Sequence, residues 1–194
     1  MKEYSAKQQQ IIMSSMNLIV DKGMSNLTIR NIAKEIGVSE PAIYRHFDSK
    51  HAILVALIET LQSAILPHFS LLSKPSDSYQ SIFTPFLTAL FTTIENNPSY
   101  ALFVFSEEAF HNDAELRPYL FNLLSLILSS IEKNFDQLYT ISQWNKNLSV
   151  KEGAVITLSI IRFTITKWHL SHGKSSLTEE ITPLSHLLQK LLFN

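Results

Sequence analysis

The 194-residue chain contains no cysteine, which excludes a disulfide framework, a thiolate metal site and a cysteine nucleophile. Glycine occurs four times, at Gly23, Gly37, Gly153 and Gly173. Four scattered glycines cannot form a phosphate-cradling loop, and neither G-x-S-x-G nor H-E-x-x-H is present. The N-terminal stretch MKEYSAKQQQ lacks the apolar region of a signal peptide. The densest apolar run, residues 52 to 66, is interrupted by Glu59, Thr60, Gln62 and Ser63, so the sequence predicts no membrane span and a cytoplasmic location. Charge of one sign is also scarce. Residues 1 to 50 carry seven Lys/Arg against five Asp/Glu in a chain of net charge -1, an excess too small to identify a nucleic-acid partner on electrostatics alone.

What the chain does have is apolar residues, 45% of the total against 17% charged, enough for a core and too many for a disordered chain. They recur at three and four residues, while the β-branched alternation of strands is rare. An all-α fold is therefore expected, with about nine helices near 6–22, 28–35, 39–45, 49–72, 77–95, 98–110, 114–139, 150–171 and 178–192. Gly23 and Gly173 are placed to end helices. Ser149-Val-Lys-Glu152 and Ser176-Leu-Thr-Glu179 have capping-box spacing, and Pro98 suits a first helical turn. Pro67 should kink or split the long fourth helix. Residues 74–78 and 140–149 read as loops.

From Leu27 to Phe47 the sequence is LTIRNIAKEIGVSEPAIYRHF. Thr28 caps a short helix, Gly37 breaks it, and Ser39 caps a second with Pro41 in its first turn. Ala33 is small where two helices must cross, and Ile32, Ile36, Val38 and Ile43 hold inward-facing positions. That leaves Ser39, Glu40, Ala42, Tyr44, Arg45 and His46 outside, a mixed polar and aromatic face that suits phosphates and base edges. Phe47 is expected in the core, and Lys50 stands at the start of the following helix, whose N-terminus favours an anion.

Residues 11 to 58 resemble the DNA-binding domain of the TetR family through the threonine-led helix, Ile32-Ala33, Gly37-Val38-Ser39, Tyr44-x-x-Phe47 and Ser49-Lys50. The resemblance implies a helix-turn-helix domain over residues 1–50 and a larger helical effector-binding and dimerisation domain over 51–194. It implies phosphate contacts from Thr28, Tyr44 and Lys50, with His46 and Arg30 near the backbone or groove. Base readers are drawn from Glu40, Pro41, Ala42 and Arg45. Arg45 suits bidentate recognition of a guanine, with a phosphate as the other possible partner. The implied protein is a non-enzymatic regulator, a repressor by expectation, that binds double-stranded DNA as a homodimer at a near-palindromic operator. A small apolar or amphipathic effector would release it.

Beyond the motif, aromatic residues concentrate between 69 and 121. Phe86, Phe103 and Tyr119 with the polar His68, Glu107, His111 and Arg162 are the candidate effector contacts. Glu108-Ala-Phe-His111 has a Glu-x-x-His spacing and His169-Leu-Ser-His172 pairs two imidazoles. No second Glu-x-x-His exists to complete a di-iron set, so neither a metal nor another cofactor is expected. Residues 153–172 carry one stripe of Ala154, Leu158, Ile161, Ile165 and Trp168 and a second of Ile156, Ile160 and Phe163, which calls for two packing partners. Leu158, Ile161, Ile165 and Trp168, with Leu184, Leu188 and Leu191 of the last helix, are the expected dimer contacts. Two alternatives differ from this reading in kind: a DNA-bound adaptor acting through a protein partner, and a helical-bundle metalloenzyme.

Overall fold

Local signals in the sequence set most helix boundaries in the computed structural model, which describes residues 3–73, 82–101, 115–141, 144–171 and 174–193. Helix α1 runs Ala6–Lys22. Ser5 and Gln8 form a reciprocal capping box at its start, and Gly23 ends it with φ +79°. Helix α2, Ile29–Ile36, begins where the Thr28 hydroxyl accepts the Asn31 N–H at 3.1 Å. It stops at Gly37, which is left-handed at φ +75°. There the Val38 N–H reaches the Ala33 carbonyl at 2.9 Å and the Gly37 N–H reaches Lys34 at 3.3 Å, closing two carbonyls the helix end would orphan. Helix α3, Glu40–Tyr44, follows α2 after three residues, Gly37 to Ser39.

The Ser49 hydroxyl caps α4, Lys50–Ile65, by accepting the Ala52 N–H at 3.1 Å. The expected effect of Pro67 is met: the α-helix gives way to a 3₁₀ segment over Leu66–Ser73, because proline cannot donate to the preceding turn. By length and composition alone Lys50–Leu72 could cross a membrane, its most apolar 18-residue window having a mean hydropathy of 1.5. Its residues Ile53, Leu54, Leu57 and Leu61 are nevertheless buried inside the chain, as in a core helix. Helices α5, Phe83–Asn96, α6, Arg117–Ile141, α7, Val150–Leu170, and α8, Ile181–Leu192, complete the described fold.

Helix α1 packs on α2 and on α4, and α2 packs on α3. Beyond them α6 lies against the 3₁₀ segment, α4 and α7, and α5 lies against α8. The Ser149–Glu152 capping box forms as expected. The one expected at Ser176–Glu179 does not. Glu95 of α5 reaches across instead, accepting from the Ser176 hydroxyl at 2.6 Å and from the Leu177 and Thr178 N–H groups, so a distant carboxylate replaces the local one. The expected loop 140–149 is also shorter. Helix α6 extends to Ile141, and Trp144 forms a β-bridge with Phe193. The fully buried Trp144 ring is enclosed by Phe135 at 5.2 Å and Phe193 at 5.6 Å.

Candidate nucleic-acid interface

Three buried anchors hold the α2–α3 pair. Ile32 and Ile43 are fully enclosed, and Phe47 is nearly so, with its ring 6.2 Å from that of Tyr4. Ala33 is buried at the crossing, while Ile36 and Val38 are half-buried against the core. The Gln8 side-chain amide of α1 donates to the His46 carbonyl at 3.1 Å, fixing the end of α3 from behind. With Ile43 and Phe47 directed inward, the helical repeat turns the rest of α3 outward.

Thr28, Arg30, Ser39, Glu40, Pro41, Tyr44, Arg45 and Lys50 are exposed, whereas Ala42 and His46 are half-buried. Tyr44 is 49% exposed, a large fraction for an aromatic side chain beside a packed core. Ser39 departs from expectation. It occupies the N-cap position, yet its side chain makes no capping bond. The following Pro41 has no N–H to offer, and the Ala42 N–H is taken by the Ser39 carbonyl at 2.9 Å, so the hydroxyl stays available to an outside acceptor. Thr28 uses an oxygen lone pair for its cap and keeps a hydroxyl proton to donate. At the start of α4, Lys50 sits on the turn whose first N–H groups lack helical acceptors. These groups form a surface of phosphate donors around a short helix whose exposed side chains can meet base edges.

Among the described contacts that tie this unit to the remaining chain, two had no local sequence signal. The Tyr4 hydroxyl donates to the Glu59 carboxylate of α4, and burial, together with that carboxylate, holds the phenol's pKa well above its ordinary value. In the first turn of α4, His51 Nδ1 lies 3.5 Å from Glu115 Oε2, and its ring sits 6.0 Å from Tyr119 at the start of α6.

The effector residues expected from sequence do not converge where described. Phe86 is buried with its ring 5.1 Å from Phe69, and His68 meets Thr93 at 2.9 Å. Tyr119 is exposed at the start of α6, and Arg162 lies half-buried on α7. Phe103, Glu107 and His111 lie outside the described residues, as do Glu108, His172 and Gly173. The aromatics Phe83, Phe86 and Phe91 are fully buried core. An open cleft of about 840 Å³ lies between α1, α4 and α6, and of these expected residues Tyr119 is in its described lining.

Burial depresses the His68 pKa below its ordinary 6.5. The unfolded chain therefore binds a proton at a pH where the folded site does not. Stability should fall as the pH drops through about 6.5 and level off below the folded-state value. Urea denaturation from pH 7.5 to 5 checks this: His68→Gln should flatten that part of the profile, and an unchanged slope would exclude His68 as its source.

The expected dimer contacts divide between the core and the surface of the chain. Ile161, Ile165, Leu184 and Leu188 are buried in the chain's own core, and Leu158 and Trp168 pack against it. The opposite face of α7 exposes Val155, Phe163 and Leu170, at 51%, 70% and 72%. On α8, Leu187 joins the expected Leu191 outside. Two apolar stripes were evident in the sequence, but their periodicity does not say which one faces inward.

Residues 11–57 match the family model described as bacterial regulatory proteins, tetR family. The chain is 30% identical over 112 residues to the nucleoid occlusion factor SlmA of Mannheimia succiniciproducens, which covers 57% of this chain and 52% of that one. It is 40% identical over 55 residues to the class C tetracycline repressor protein of Escherichia coli, 28% of this chain and 25% of the repressor. The chain thus spans about half the length, or less, of these curated relatives. In fold it resembles the transcriptional regulator FadR of Bacillus subtilis, solved with stearoyl-CoA, with a TM-score of 0.80 at 19% identity over 94% of this chain and 98% of that one. Residues 11–57 thus match the helix-turn-helix of the TetR family of bacterial regulatory proteins, and a helical region follows them.

Proposed function

We propose that the protein is a homodimeric, ligand-responsive transcriptional repressor. Residues 1–50 bind DNA, and residues 51–194 bind an effector and form the dimer. The exposed face of α3 carries this reading: Tyr44, Arg45 and Ser39 are presented outward by a helix that Ile43 and Phe47 anchor. Thr28, Tyr44 and Lys50 hold phosphates, with Arg30 and His46 beside them. Arg45, Glu40, Pro41 and Ala42 face the bases. The operator is a near-palindrome, since two recognition helices related by a two-fold axis read two half-sites about one DNA turn or a multiple of it apart. Repression fits because a dimer seated on a promoter blocks polymerase without further contacts. The site of action is the cytoplasm, where the DNA lies.

The dimer forms through the outward stripe of α7 with Leu187 and Leu191 of α8. Exposed Phe163 and Leu170 on one face favour a protein partner over solvent. Phe163→Glu should give a monomer in sedimentation at micromolar concentration and lose operator affinity by at least about tenfold, because one half-site contact set no longer assists the other. A variant that remains dimeric would place the interface elsewhere.

A DNA-bound adaptor acting through a protein partner is the second reading. The match to nucleoid occlusion factors extends past the helix-turn-helix, and α6 exposes Phe121 at 71% and Leu124 at 41%. Metabolites that release the chain from DNA favour the first reading. An adaptor would be insensitive to them, and Phe121→Asp would abolish its partner binding while leaving DNA binding intact.

A further inference from the structure

The cleft between α1, α4 and α6 is chemically one-sided. Its described lining includes the carboxylates of Glu3 and Glu59, the phenols of Tyr4 and Tyr119, and the apolar side chains of Met13 and Ile58, with no lysine, arginine or histidine among the described lining residues. A volume of about 840 Å³ falls in the range of small-molecule sites. Met13 and Tyr119, each 41% exposed, supply an adaptable thioether and an aromatic face at the rim. Carboxylates attract a cation directly. Tyrosine faces attract it through their quadrupole, and Ile58 and Met13 favour an apolar body beside the charge.

We infer that this cleft binds an amphipathic organic cation, one positive centre on an aromatic or aliphatic body, and that its occupation weakens operator binding. The second half rests on the proposed DNA-binding function; the first does not. Glu59 is the natural counter-ion because it is half-buried, where an ion pair is less screened than at the surface. It also accepts the Tyr4 hydroxyl, so a cation at Glu59 competes with the bond joining the start of α1 to α4. Tyr4 packs against Phe47, and Gln8 three residues beyond the N-cap holds the His46 carbonyl. Displacing Tyr4 therefore acts on the support of α3. By linkage, operator DNA and the cation should oppose each other's binding by the same factor.

Calorimetric titration of the full chain without DNA tests the site, with tetraphenylphosphonium chloride as cation and triphenylphosphine oxide as neutral aromatic control. The cation should saturate one site per chain at least about tenfold more tightly than the control. Glu59→Gln should remove about that factor for the cation and leave the control unchanged; a merely structural role for Glu59 would move both or neither. Glu3→Gln, at an exposed position, should give a smaller loss in the same direction, and thermal melts confirm that each variant folds. Absence of saturable cation binding, equal affinity for both probes, or a cation affinity indifferent to both substitutions would overturn the site. In a second arm, the cation should lower affinity for a selected operator in fluorescence anisotropy. Binding without that loss overturns the regulatory half, whereas a chain that binds no DNA at all overturns the proposed function and leaves the site standing.

Discussion

Tyr44→Ala and Lys50→Ala should each weaken operator binding by about tenfold, roughly 1–2 kcal/mol, and do so on every sequence the protein binds. Both side chains are exposed, and neither is needed to hold the fold, so thermal stability should change little. Lys50→Ala should also reduce the slope of log affinity against log salt by about 1 for each lysine removed from the complex, because each phosphate contact releases a counterion. Arg45→Ala should behave differently. If Arg45 grips a guanine through O6 and N7, its loss costs about 1–3 kcal/mol and relaxes preference at one base pair of each half-site. If it holds a phosphate instead, specificity stays and the salt slope falls. Competition titrations with operators varied one base pair at a time, at two salt concentrations, separate these outcomes. Unchanged affinity in both Tyr44→Ala and Lys50→Ala would remove the interface.

The second large effect concerns packing. A Cβ at Gly153 would lie 2.7 and 2.8 Å from the Trp144 ring and 3.2 Å from Leu192. Trp144 cannot easily give way, since Phe135 and Phe193 flank it and its indole N–H donates to the Leu148 carbonyl at 2.8 Å. Alanine is the better helix former by about 1 kcal/mol, and overpacking costs about 1–3 kcal/mol, so Gly153→Ala should be neutral to destabilising. Larger residues should be worse: Gly153→Leu should lower the melting temperature clearly, at roughly 2–4 °C for each kcal/mol in a chain of this size. Trp144→Phe makes room, so a double-mutant cycle should recover part of the Gly153→Ala loss. A Gly153→Leu variant as stable as the parent would mean that the cluster is looser than drawn.

These two sites differ in how far the sequence reveals them. Thr28 and Gly37 act through neighbours within a few residues, so their spacing alone places the cap and the turn, and the helical repeat marks Ile43 and Phe47 as the buried face. Trp144 acts through Gly153, Phe135 and Phe193, partners brought together only when α6, α7 and α8 close on one another. Its segment consequently reads as a loop. The same limit accounts for Glu95, which caps a turn about eighty residues away, and for the Tyr4–Glu59 bond. On α7 the repeat of apolar residues is legible, but inside and outside are not. Ile161 and Ile165 face the core through packing on α6, which leaves Val155, Phe163 and Leu170 outward. For Ser39 the failure is local: Pro41 has no N–H to give, and the Ala42 N–H goes to the Ser39 carbonyl instead of the hydroxyl.

Selection of bound duplexes from a random pool is the direct test of sequence reading by α2 and α3 as a two-fold pair. A near-palindrome with two half-sites about one helical turn or a multiple of it apart should be enriched, the enriched motif should be lost with Arg45→Ala, and binding should be lost altogether with Tyr44→Ala and Lys50→Ala combined. A pool that stays random after repeated selection, or an enriched motif indifferent to these substitutions, would contradict it.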